Sequence, residues 1–139
     1  MTIARQAPTL AVGLHLVMAG GKAALPPAQN PHIVDQNGHF PGDPVVAGLR
    51  YFSSSTAQTE LAAEMEAQFE RFAATGLPLS HVDGHMHPTV FRLLLPLAEE
   101  HGAQGLRLPC DDFRLSVGYD GLRIVPPLAD PTTGLVTCC

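Results

Sequence analysis

Side chains that can bind a metal or move a proton are concentrated in one segment, HVDGHMH, at residues 81–87. Four of them alternate with other residues: His81, Asp83, His85 and His87. In an extended strand, alternate residues point to the same face. The two ends of the segment lie ~20 Å apart at ~3.3 Å per residue, so all four side chains cannot bind one ion. A neighbouring pair, Asp83/His85 or His85/His87, could bind one if the chain bends at Gly84 or before Pro88.

The chemistry that fits this segment is metal binding. Neutral imidazole and carboxylate groups suit zinc or a related divalent metal. The alternative is that the segment is a solvated strand end with ordinary surface histidines. The clustering of four such side chains at a strand-to-helix junction favours a metal-binding or catalytic role.

His15 is a further candidate ligand, because it lies at the end of the apolar run LAVGLHL. A lone histidine among apolar residues is more often a hydrogen-bonded core residue than a ligand. If its strand neighbours the strand that leads to His85, the two imidazoles can lie side by side. Both interpretations stay open from the residues alone.

Two weaker candidates lie near the third predicted strand. Arg107 could orient a carboxylate or contact a substrate, and an interface salt bridge is an equal alternative. The pair Asp111-Asp112 is more typical of a turn or a helix cap.

The elements that must position these residues alternate between strands and helices. Hydrophobic patterns predict strands over residues 10–16, 79–83 and 105–108, and helices over residues 56–74 and 88–101. Residues 19–44 are rich in Gly, Pro and Asn and predict a long loop, with turns at Asn37-Gly38 and over residues 41–44 (PGDP). This order predicts an α/β fold with a parallel sheet, in which sites collect at the carboxyl ends of the strands.

The clearest predicted helix covers residues 56–74. Its apolar stripe has helical spacing and consists of Leu61, Met65, Phe69 and Phe72. Glu60, Glu64 and Glu70 are expected to form a solvated face of this helix.

Composition narrows the classes of partner. The 139-residue chain has a net charge of −5, and its eight Lys and Arg residues are scattered, which argues against nucleic-acid binding. No apolar run approaches the ~20 residues of a membrane span, and the first residues do not resemble a signal peptide, so a cytoplasmic protein is expected.

The three cysteines form neither a disulfide framework nor a CxxC zinc motif. We expect one domain over residues 1–123 and an irregular tail over residues 124–139.

Four segments together resemble the YdjC-like (ChbG-type) carbohydrate deacetylase family, and its hopanoid-biosynthesis-associated branch in particular. They are VGLHL, GHF, EMEAQFERFAATGLPLSHVDGHMHPTVFRLL and AQGLRLP. The paired GLHL and HxDxHxH motifs, separated by an EAQFxxF helix, are more specific together than either is alone.

The resemblance implies part of a TIM-barrel-like parallel β/α fold, related to polysaccharide deacetylases. It implies a metal-dependent hydrolase that removes acetyl groups from N-acetylated amino sugars or a related hopanoid-linked sugar. The expected cofactor is a divalent ion: zinc, magnesium, manganese or nickel. His15 and His85 match the family's metal-binding histidines. Asp83 and His87 match neighbours that support the site, and His87 could protonate the leaving amine.

The chain also departs from the family pattern. No segment matches the family's N-terminal Asp-Asp-Phe-Gly motif, which supplies the third metal ligand and the base, or its C-terminal half. Asp111-Asp112-Phe113 resembles that motif but follows the third strand. The fold is therefore expected to be truncated at both ends, with open sheet edges that invite aggregation or a homo-oligomer. The alternative to a deacetylase is a non-catalytic remnant that binds metal or sugar.

Overall fold

The structure is a computed structural model that describes residues 2–7, 9–84, 90–107 and 123–125. Its helices and strands alternate after a short first helix. In chain order they are α1 (Thr2–Gln6), β1 (Leu14–Leu16), α2 (Pro44–Phe52), α3 (Ser55–Ala73), β2 (His81–Gly84), α4 (Phe91–Glu100), β3 (Gly105–Arg107) and β4 (Arg123–Val125). None of these helices is both long and apolar enough to cross a membrane.

The strands form one parallel sheet in the order β1-β2-β3-β4, so neighbours in space are also neighbours along the chain. Leu14 of β1 pairs with Val82 of β2, and Val82 pairs with Leu106 of β3. Such sequential order, without reversal, is the order of strands in β/α barrels. The prediction of a parallel α/β fold is confirmed.

The core lies between this sheet and α3. Leu16, Val82 and Leu106 are each at most 2% exposed, and they contribute one buried residue from each of three adjacent strands. The predicted stripe of α3 is buried at Leu61, Met65 and Phe69, whereas Phe72 is partly exposed. The 19-residue helix is thus held by packing along the face that its sequence indicated.

Glu64 corrects the prediction of a solvated acidic face on α3. Its side chain is fully buried, because α3 turns it towards the loop that follows β1. Glu60 is mostly buried as well, with its Oε1 2.5 Å from the His32 Nδ1. Glu70 is exposed, as expected. The carboxylates of Glu64 and Glu60 both hold the long loop against α3.

Helix α2 was not predicted, because the sequence Gly42-Asp43-Pro44 is also typical of a turn. Asp43 caps the helix, with its side chain accepting hydrogen bonds from the Val45 and Val46 backbone N–H groups. Pro44 occupies the first turn, where its missing N–H costs nothing. The same residues that suggested a turn therefore start a helix.

Burial raises the pKa of Tyr51, a residue of α2 whose hydroxyl donates a hydrogen bond to the Met18 carbonyl. An unfolded tyrosine has a pKa of about 10. The folded state therefore favours the neutral phenol, and this contribution to stability is lost as the pH rises above about 10. We expect Tyr51→Phe to lose about 1 kcal/mol at pH 7, because the buried carbonyl loses its donor.

Urea unfolding at pH 7 and at pH 10.5 measures this effect. We expect the wild type to lose more stability between the two pH values than Tyr51→Phe does. Equal losses in both proteins would contradict the assignment of the buried phenol.

A fourth strand lies where the sequence predicted the start of an irregular tail. Residues 124–139 were expected to be an irregular tail, but β4 includes Ile124 and Val125, which pair in parallel with Leu106 and Arg107. Strand β4 extends the sheet by one strand beside β3, through three residue pairs. The remainder of that predicted tail lies outside the described residues.

Candidate functional site

His15 and Asp83 meet at the carboxyl ends of β1 and β2. They are direct partners in the parallel register, and the His15 Nδ1 lies 2.9 Å from the Asp83 Oδ1. The His15 side chain is 52% exposed and the Asp83 side chain 28%, so the pair lies at the surface of this sheet edge. The strand of His15 is thus a direct neighbour of the strand that leads to His85, which was the condition for the two histidines to lie near each other.

The alternation of β2 directs Asp83 to the site. Val82 and Gly84 are buried, whereas His81 and Asp83 are partly exposed, so residues 81–84 have the predicted two faces. The His81 ring lies against Gly13, where an added methyl carbon would be 2.4 Å from the His81 Nε2. Gly13 thereby allows β1 to pass close to β2 just before His15.

Gly84 brings the two strands together on the other side of the pair. A methyl carbon added at Gly84 would lie 2.7 Å from the Leu16 carbonyl oxygen, which is closer than real contacts allow. Leu16 and Gly84 are register partners, one residue beyond His15 and Asp83. The absence of a side chain at Gly84 therefore permits this close approach of the strands at the site.

The geometry of the pair suits a metal-binding histidine. Such histidines usually donate one ring N–H to a carboxylate, which fixes the tautomer and turns the other nitrogen to the metal. With Nδ1 bonded to Asp83, the nitrogen that a metal would use is the His15 Nε2. Among residues 2–7, 9–84, 90–107 and 123–125, no group of three or more His, Cys, Asp or Glu side chains is placed to hold an ion. The described residues therefore fit one supported ligand.

Four of the remaining predicted site residues lie outside the described part of the chain, whereas Arg107 lies within it. His85, the second predicted metal ligand, and His87 lie outside the described residues, as do Asp111 and Asp112. Arg107 is the last residue of β3 and follows Leu106, the partner of Val82. The Arg107 backbone is thus level with Asp83, one strand further along the sheet.

Sequence reasoning missed the polar residues of α3 that hold the end of β1. The Gln68 side chain bonds both backbone groups of Val17, and the buried Glu64 bonds Gln68. Glu64 and Gln68 are four residues apart, and each precedes a residue of the apolar stripe. That position beside the stripe is a signal for the burial of Glu64, whereas nothing in the sequence marks the contacts of the partly buried Gln68.

Asp35 organises a tight turn in the loop that follows β1. Asp35 accepts hydrogen bonds from the backbone N–H groups of His39 and Asn37, and these bonds lower the pKa of Asp35. The turn continues through Gly38, whose φ of 79° suits glycine. This turn confirms the predicted Asn37-Gly38 turn and closes the loop.

Comparisons with known proteins agree on one family. The family model described as YdjC-like protein matches residues 1–133, and so extends past residue 123. A carbohydrate deacetylase of Brevibacillus brevis is 36% identical over 104 residues, which cover 71% of this chain and 38% of that protein. A carbohydrate deacetylase of Geobacillus stearothermophilus is 35% identical over an alignment of 157 residues, covering 98% of this chain and 60% of that protein.

A chitooligosaccharide deacetylase of Yersinia pestis is 34% identical over 134 residues, covering 90% of this chain and 47% of that protein. The chain spans about half the length of the curated relatives it matches. No solved structure matches the chain. Because the family model covers nearly all of the sequence, the chain belongs to the YdjC-like family.

Proposed function

We propose that this chain carries part of the metal centre of a carbohydrate deacetylase, in which His15 is a metal ligand and Asp83 orients it. The observation that carries the proposal is the 2.9 Å contact between the His15 Nδ1 and the Asp83 Oδ1. It is supported by relatives that are named for deacetylation of carbohydrates and of chitooligosaccharides.

The proposed substrates are N-acetylated amino sugars, with a hopanoid-linked sugar as a narrower possibility that the resemblance suggests. A bound divalent ion would supply a polarised amide carbonyl and a water of lowered pKa. His15 would bind the ion through Nε2, and His85, which follows β2 in sequence, would be the second ligand. His87 would give a proton to the leaving amine, and Arg107 would bind the substrate.

The exposure of the pair agrees with access by a sugar. A half-exposed imidazole at the carboxyl edge of a parallel sheet lies where β/α enzymes bind their substrates. In this proposal the described residues would supply one ligand, His15, and its support, Asp83. Those residues include no carboxylate that matches the family's base, so metal binding and acetate release are tested separately.

The test is acetate release from N,N′-diacetylchitobiose by the purified chain, with zinc, magnesium, manganese or nickel added in turn. Zinc binding is measured on the same samples by calorimetry. We expect His15→Ala to lower zinc affinity at least 10-fold, because the supported imidazole is lost. We expect acetate release to fall with it.

His39→Ala is the matched control, since His39 is also an exposed histidine beside a carboxylate but lies in the turn of the loop. It should leave zinc affinity unchanged. Zinc binding without acetate release would support the alternative of a non-catalytic remnant. Equal zinc affinities in wild type and His15→Ala would overturn the proposed site.

A further inference from the structure

The Gln68 side chain of α3 forms two hydrogen bonds with the backbone of Val17, the residue directly after β1. Its Oε1 accepts a hydrogen bond from the Val17 N–H at 3.0 Å, and its Nε2 donates to the Val17 carbonyl at 2.8 Å. A side-chain amide that pairs with both backbone groups of one residue acts as a neighbouring strand does. Gln68 thus bonds the residue directly after Leu16, the last residue of β1 that pairs with β2.

The orientation of the Gln68 amide is fixed by Glu64. The Gln68 Nε2 also donates to the Glu64 Oε1 at 2.9 Å, so only one orientation of the amide satisfies all three contacts. Glu64 in turn accepts the Ala24 N–H at 2.6 Å and the Leu25 N–H at 2.8 Å. The amide is therefore held by a buried carboxylate that is itself held by the loop.

Val17 is two residues from His15, and the intervening Leu16 is 1% exposed. The backbone around His15 is consequently held in two places. Strand β2 pairs with residues 14–16, and Gln68 bonds Val17. A small rotation of the backbone at Val17 would turn the His15 Cα–Cβ bond. Because metal ligands must be held within about 0.5 Å of their productive position, such a rotation would affect an ion at His15.

We infer that Gln68 is a positioning residue for His15, acting through the Val17 backbone. This inference rests on the proposed function, because it assumes that His15 binds a metal. A purely structural role for Gln68 would lower the stability of the protein and leave the properties of a bound ion unchanged.

The test uses Co²⁺, whose visible absorption reports its ligand geometry, added to the full chain at a temperature where circular dichroism shows every variant folded. The variants are Gln68→Met, which has similar length and no amide, and Gln68→Asn, which keeps the amide one methylene shorter. Gln58→Met is the matched control on the same helix. We expect both Gln68 variants to weaken Co²⁺ binding about 10- to 100-fold, as loss of supporting contacts around ligands does, and to shift the absorption bands.

Unchanged affinity and spectrum in Gln68→Asn and Gln68→Met would overturn the inference, even if both variants melt at lower temperature. If Gln68→Met does not fold, Gln68→Asn alone decides. His15→Ala separates the two hypotheses: if this variant loses Co²⁺ and the Gln68 variants do not, only the positioning role fails. If wild type binds no Co²⁺, or His15→Ala binds it equally well, the proposed function fails and the inference fails with it.

Discussion

Replacing Gly84 with alanine is expected to destabilise the protein by about 3 kcal/mol and to abolish tight zinc binding, since overpacking against rigid groups costs about 1–3 kcal/mol. The added methyl carbon would lie 2.7 Å from the Leu16 carbonyl oxygen. That oxygen belongs to the backbone of β1, so no side-chain rotation relieves the clash. The strands must separate beside His15 and Asp83, and chemical denaturation with zinc calorimetry measures both effects.

Gly48→Ala is the matched control for this prediction. Gly48 lies inside α2, and a methyl group added there would meet no atom within 4 Å. We expect Gly48→Ala to raise stability by about 0.5–1 kcal/mol, because alanine reduces the entropy of the unfolded chain. If Gly84→Ala is as stable as wild type, β1 and β2 are not as close as the register requires.

Replacing Glu64 with glutamine is expected to cost about 3 kcal/mol, although the two side chains have the same size. Each carboxylate oxygen accepts two N–H groups: Oε1 from Ala24 and Gln68, and Oε2 from Leu25 and Asn30. Whichever way the glutamine amide turns, its NH₂ group faces two donors. A buried donor left without an acceptor costs about 1–3 kcal/mol.

Glu70→Gln is the control for the Glu64 variant. Glu70 lies on the same helix but is exposed, so its replacement should change stability by less than about 0.5 kcal/mol. Urea denaturation of the two variants gives the comparison. A Glu64→Gln protein as stable as Glu70→Gln would contradict the hydrogen-bond network that holds the loop to α3.

The sequence predicted those parts of the fold that depend on hydrophobic period. The stripe of α3 and the alternation of Val82 with Asp83 are both local patterns, and burial follows them. Helix α2 was missed because Asp43-Pro44 starts a turn or a helix equally well. Only the packing of Ala47 and Tyr51 against the core decides between these alternatives.

The candidate site was predictable in its residues and not in its support. His15 and Asp83 were both candidates, but the sequence suggested His85 as the neighbour of His15. The contact of His15 with Asp83 follows from the parallel register of β1 and β2. Gln68 has no such signal, because a glutamine is unremarkable until the backbone it bonds is known. Its role depends on a contact between residues 51 positions apart in the chain.

The measurement that tests the central claim most directly is a double-mutant cycle on zinc affinity with His15→Ala, Asp83→Ala and the double variant. If Asp83 acts by orienting His15, the two losses are not additive, and Asp83→Ala has little effect once His15 is gone. We predict that the double variant binds zinc as weakly as His15→Ala alone. Additive losses would show that the two residues contribute independently, and this result would contradict a carboxylate-supported histidine at the sheet edge.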